Sequence, residues 1–311
     1  MILEELRARL NDAGYKNWLK AGCCLLALKG ALHDFLDSEM KRFHDAAVRG
    51  HAALGRARCR STCRPTGNQL RSACRVCSKW MQEILKHHTS PAAVVNWGNC
   101  RPWLWPSEHW EVAKAFMPRG QTDVTRAEQC DAAALLNLLH FCDHFSFIDQ
   151  SLVKEVIRSR NELMHSCEMR VSAQWMERYQ KSIKKLLLQL CHIPAAAAAN
   201  QQIQEMLSVD WSVHIPGVDA VDGSQETRLE PEYISQWETE LIREQICEIL
   251  TQFDEEESIG VQDLESLQHL CSFLQNHADL KDQFKTEIDR ICCTREKLQS
   301  KTPGEDVRHQ H

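Results

Sequence analysis

IDQSLVKEVIRSRNELMHS, residues 148–166, is the stretch whose reading decides the fold. Wound at about 100° per residue, it puts Ile148, Leu152, Val153, Val156, Ile157, Leu163 and Met164 on one half of a wheel. It shows no alternation of period two, so it predicts an amphipathic helix over 149–166 and not a strand. Asn161 and His165 stand four apart on the polar side, and Arg158, seven before His165, joins them. Arg160 falls inside the apolar arc, about 140° from His165. A guanidinium placed there needs a carboxylate, a helix end or a second subunit. Glu155 and Asp143 are nearby in sequence and could serve.

Outward from that helix the chain reads as helical almost throughout. Gly and Pro are scarce, at 12 and 9, and β-branched alternation is hard to find. Neighbouring helices are predicted near 127–146 and 170–192, with connections short enough for antiparallel packing. The first 50 residues read as helix with a break near Gly14. Within them Leu19, Cys23, Leu26, Leu28, Gly30 and Leu32 mark a buried face. A short helix is expected over 78–88, and a second one ends at Pro118-Arg119-Gly120. The run PAAAAANQQIQEML (194–207) is strongly helix-forming after its Pro.

The clearest linker is IPGVDAVDGSQETRLEP, 215–231. Beyond it Ile242, Ile246, Ile249 and Phe253, then Leu280, Phe284, Ile288 and Ile291, step by three and four. These readings give an all-α chain in three parts. A helical bundle covers 1–210 with a Cys/Arg-rich insertion at 51–77. A linker covers 211–231, and an acidic helical hairpin or short coiled coil covers 232–311.

Charge divides the chain in the same way. Residues 1–193 carry a net +9 and residues 194–311 a net −15, within an overall −6. The first part suits a polyanion and the second repels one. The longest apolar run, AGCCLLAL (21–28), is far too short to span a bilayer, so no membrane association is expected. Fifteen cysteines without an export signal point to reduced thiols in the cytoplasm or nucleus.

Arg160-Asn161-x-x-x-His165, late in a helix of an α-helical bundle, resembles the R-N-x-x-x-H signature of HEPN domains. Many members of that superfamily are metal-independent ribonucleases that dimerise to form a composite cleft. The resemblance implies that Arg160 contacts the scissile phosphate, Asn161 orients neighbouring groups and His165 moves the 2′-hydroxyl proton. An imidazole near neutral pKa beside a cation is adequate for this, because RNA carries its own nucleophile. The superfamily spacing also admits Arg158, which shares the face of His165. The plainer reading makes Arg160 a structural ion-pair residue and His165 a C-terminal helix histidine favoured by the macrodipole. Over the whole chain, AGYKNWLKAG, NWGNCRPW, WEVAKAFMPRG, IRSRNELMHS and DWSVHIP resemble a vertebrate family named as an open reading frame of the X chromosome.

Cys59-x₃-Cys63-x₁₀-Cys74-x₂-Cys77 offers two close thiol pairs in a spacing that suits structural zinc. His87, His88 and Cys100 are spare ligands; free thiols in a surface loop are the alternative. Around the pairs lie Arg56, Arg58, Arg60, Arg64, Arg71, Arg75 and Lys79, with no acidic residue between Asp45 and Glu83. Such a patch suits the phosphates of RNA or, alternatively, neutralises metal-bound thiolates and the acidic half. Trp97, Trp103, Trp105 and Trp110 crowd one segment with Arg101 and Lys114, suited to base stacking or, more simply, to cementing a loop on a core.

No phosphate loop, dinucleotide fingerprint, HExxH motif, EF-hand or nucleophile elbow is present, which excludes those classes by motif. The expected function is an RNA-binding HEPN-like domain acting as a homodimer, with metal-independent endoribonuclease activity as its catalytic form. The competing expectation is a non-enzymatic scaffold that engages protein partners through its C-terminal helices.

Overall fold

The computed structural model describes residues 2–55, 58–90, 95–166, 168–209, 211, 230–255 and 261–299. In chain order the helices are α1 Ile2–Leu10, α2 Ala13–Gly50, α3 Ala52–Gly55, α4 Arg75–Lys86, α5 His109–Ala113, α6 Ala132–Phe141 and α7 Gln150–Met164. There follow α8 Ala173–Gln189, α9 Pro194–Ser208, α10 Pro231–Glu255, α11 Val261–Asn276, α12 Ala278–Gln283 and α13 Lys285–Gln299. Among the described residues no strand forms, so the chain is all-α. The break expected near Gly14 is a two-residue turn, Asn11-Asp12, before α2. The helix expected over 127–146 is shorter: 3₁₀ turns flank α6, whose N-terminus is set by Asp131. The linker expectation falls almost wholly outside the described residues, as does Arg56.

Contacts divide the chain into two compact units whose segments alternate in sequence. One comprises Met1–Gly22, Glu162–Ala173 and Val209–His311; the other comprises Cys23–Asn161 and Gln174–Ser208. Helices α2 and α7 therefore each contribute residues to both.

The unit holding Cys23–Asn161 is built on the long α2. Leu28, Leu32, Leu36 and Met40 are buried along it, while Gly30, expected on that face, is exposed. Helix α6 is apolar except at Asn137 and His140, three apart on one side, and is buried along most of its length, as such a helix must be. Val153 and Val156 of α7, Ile183 and Leu186 of α8, and Trp80 and Trp105 complete the core. The Trp-rich segment cements a loop: Trp105 and Trp110 are buried, and the Trp105 indole N–H donates to the Glu111 carbonyl at 3.1 Å. Lys114 is fully buried and pairs with Glu111 at 2.8 Å, so it is not available to a nucleic-acid backbone.

The other unit is closed by a buried ion network. Arg9 donates to both oxygens of Glu238 at 2.7 Å and to both of Asp279 at 2.9 and 2.8 Å. The Tyr15 hydroxyl also donates to Glu238, and burial together with that carboxylate raises the phenol well above its usual value. Helix α1 packs on α12, and α11 and α10 on α13. Ile242, Ile246, Ile249, Leu280, Phe284, Ile288 and Ile291, whose spacing marked an apolar face, are all buried. Gly22 leaves room for the Leu241 side chain, which a Cβ would strike. The end of α7 is anchored in this unit, where Trp18 donates to the Leu163 carbonyl at 3.2 Å and Gln245 to that of Met164 at 3.0 Å.

Candidate metal centre and basic face

The four cysteines singled out by spacing come together. The Sγ atoms of Cys59, Cys63, Cys74 and Cys77 all lie within 4.8 Å of one another. Cys59–Cys63 is 3.8 Å and Cys74–Cys59 is 3.7 Å. A tetrahedral ion with Zn–S bonds of about 2.3 Å requires S···S edges of about 3.8 Å. The donor set and its spacing therefore fit a metal ion of the zinc type.

Local backbone chemistry explains the approach. Thr62 adopts φ +42, a left-handed conformation rare for a β-branched residue, and turns the chain sharply just before Cys63. A second turn at Thr66–Gln69 with Gly67 at φ +56 reverses it towards Cys74. The Cys74 N–H donates to Cys63 Sγ at 3.2 Å, a bond that favours thiolate sulfur. Cys74 is the N-cap of α4, which places Cys77 in that helix's first turn, where the dipole favours negative charge.

The thiols do not ionise alike. Burial raises those of Cys63 and Cys77. Burial acts the same way on Cys59, but hydrogen bonds from the Cys63 and Ser61 backbone and from neighbouring thiols outweigh it and lower Cys59 to about 7. By contrast burial pushes the isolated Cys100, Cys130 and Cys142 up to about 12, as expected of packing thiols.

The spare ligands lie elsewhere. His87 donates towards Asp143 at 2.8 Å and Glu83 at 3.2 Å, His88 stacks between Phe116 and Phe141, and Cys100 is buried. His87 borders a cleft of about 390 Å³ floored by Phe43, Ala46 and Ala47, with His51, Lys86 and His144 on its walls. The sequence reading missed this cluster, although Glu83 and His87 stand four apart on one helix and were detectable in that way.

Around the thiol cluster Arg58, Arg60, Arg64, Arg71 and Arg75 are exposed, and Lys79 is half-buried. Arg64 lies over the Trp103 ring, 5.4 Å from its centroid. Were the four cysteines to bind zinc as thiolates, the cluster would carry a charge of about −2 and the six cations around it would leave the segment at about +4.

The motif helix is divided between the units: Asn161 ends a segment of one and Glu162 begins a segment of the other. Arg160 is buried and donates to Asp131 at 3.4 Å, a carboxylate the sequence reading did not name. Arg158 and Asn161 are exposed. His165 is exposed, with the Glu248 carboxylate 3.9 Å from Nε2.

These features define an all-helical protein carrying a four-cysteine cluster with a basic surround. The chain belongs to the family described as a domain of unknown function, DUF4559, whose model matches residues 9–309. It is similar to a mouse protein named "Uncharacterized protein CXorf38 homolog", at 42% identity over 297 residues, 94% of this chain and 92% of the mouse protein. No solved structure matches it. Among the described residues no helix is long and apolar enough to cross a membrane.

Proposed function

We propose that the chain binds RNA through the basic segment 58–79, held in shape by zinc on Cys59, Cys63, Cys74 and Cys77. The observation that carries this reading is the surround of exposed arginines, unopposed by any acidic residue between Asp45 and Glu83, on a cluster with tetrahedral sulfur spacing. Zinc here is structural, cross-linking a segment poor in apolar residues. Fluorescence anisotropy of a labelled single-stranded RNA tests the reading. Binding should weaken on salt addition with a log–log slope of about −3, or about 0.7 per neutralised phosphate. A salt-independent signal, or none, would sink it.

The endoribonuclease form is a second reading, supported by the exposure of Asn161 and His165 in the R-N-x-x-x-H helix that resembles HEPN domains. Arg160, buried against Asp131, serves the fold in our reading, which leaves Arg158 as the exposed arginine of that helix. The test is RNA cleavage by the zinc-loaded protein without magnesium, beside His165→Ala. A chelator is avoided because it would also strip a structural ion. Homodimerisation belongs to the HEPN-like readings, binding and catalytic alike, and scaffold contacts through α10–α13 to the non-enzymatic alternative; sedimentation of the purified chain tests the first.

A further inference from the structure

Beside the thiol cluster lies an open cavity of about 320 Å³ lined by Asn68, Gln69, Arg71, Leu85, Val95 and Trp97. Its size is at the small end of ligand sites, about 300–1,000 Å³. The turn that forms one wall is the same turn that carries the chain from Cys63 to Cys74. The opposite wall is held against that turn, because a Cβ at Gly98 would lie 2.9 Å from the Gly67 carbonyl oxygen. Only glycine permits this approach.

The lining is apolar in the middle and polar at one edge. Leu85, 38% exposed, sits in the last turn of α4 and faces the cavity with Val95 and Trp97. Trp97 is half-buried and braced edge-on by the fully buried Trp105, at 5.8 Å between centroids. Gln69 fixes Arg71 by accepting from its Nε, and Arg71 itself is exposed. An aromatic surface beside amide groups, with arginines on the approach, matches an unpaired base and its flanking phosphates.

We infer that this cavity receives one unpaired base of a single-stranded RNA, stacked on Trp97 and Leu85, with Asn68 and Gln69 at its edge and Arg71 on the adjacent phosphate. The inference rests on the RNA-binding reading above; the charge of the surrounding arginines selects nucleic acid as the occupant over a neutral ligand.

The test compares a fluorescein-labelled decauridylate with an oligomer of the same length whose residues are abasic, on the full zinc-loaded chain. The base-bearing strand should bind about 5- to 150-fold tighter, since one stacked base is worth about 1–3 kcal/mol. Trp97→Ala should bring the ratio close to one while leaving the salt slope unchanged. Leu85→Ser, at an exposed position, should lower the ratio if the tryptophan variant does not fold. Equal affinity for both strands in the wild type would overturn the inference and leave phosphate binding standing. Equal competition by duplex RNA would overturn it too, because paired bases do not enter the cavity. If neither strand binds, the RNA reading itself fails.

Discussion

Asp131 uses its two oxygens differently. Oδ1 accepts the Ala134 N–H at 2.7 Å and caps α6, and Oδ2 accepts from Arg160 at 3.4 Å. Asp131→Ala removes both and should cost about 1–3 kcal/mol in urea unfolding, whereas Asp131→Asn keeps a cap and should cost less. Equal losses would show that the cap is irrelevant. The wheel placed Arg160 in the apolar arc correctly, but Asp131, to which it donates, lies 29 residues earlier, beyond the reach of periodicity. Histidines give a second residue-scale prediction. His88 stacks between Phe116 and Phe141, and His44 stacks on Trp80 while bonding the Trp105 carbonyl. Burial is the main cause that lowers both pKa values, and for His44 the carbonyl bond only partly opposes it. The unfolded state, titrating near about 6.5, therefore binds more protons below that pH. Their contribution to stability is intact above about pH 6.5 and is lost as pH falls below it. Unfolding free energy measured from pH 7 to 5 should decline, with a shallower decline in His88→Phe; metal content must be followed in parallel, since thiolate ligands also protonate in acid.

The segment from Cys59 to Lys86 shows what spacing alone carried. Two thiol pairs and the arginine run were legible, because metal-ligand spacing is a local property. The left-handed Thr62, the turn at Gly67 and the docking of Gly98 were not, since the residues that define them are ordinary loop residues until the backbone is known. The Glu83–His87–Asp143 cluster was missed for a related reason: Asp143 lies 56 residues from His87. The cysteine arrangement predicts one zinc per chain by elemental analysis. Cys74→Ser should abolish it and lower the melting temperature by several degrees, whereas Cys191→Ser, at an exposed thiol remote in sequence, should change neither. Retention of a full equivalent of metal by Cys74→Ser would remove that residue from the ligand set. Thr62→Gly should be tolerated, because it relieves an unfavourable left-handed backbone at a cost in unfolded-state entropy.

At the scale of the molecule, helix content was legible from composition and periodicity, and even the C-terminal apolar steps at Ile242–Ile249 and Leu280–Ile291 fell on buried residues. The partnership of the two chain ends was not legible, because no local pattern links Arg9 to Glu238 and Asp279, 229 and 270 residues away. Although burial acts against the charged carboxylate of Asp279, hydrogen bonds with Arg9 at their head hold it below the usual range. Arg9→Ala leaves Glu238 buried without its cation and should cost about 3–5 kcal/mol, read as loss of cooperative unfolding by circular dichroism. Arg9→Met with Glu238→Leu, which removes the buried pair together, should recover part of that loss. Failure of the double variant to improve on Arg9→Ala would assign the network's worth to specific hydrogen bonding.

That same network has a meaning in time as well as in space. A ribosome delivers about 5–20 residues per second, so Arg9 emerges roughly 10–50 seconds before Glu238 is even polymerised. Throughout that interval the Arg9 guanidinium is without the carboxylates that hold it in the folded chain. The network can therefore close only once α12 has been made, and a nascent chain arrested before α10 holds Arg9 without either carboxylate.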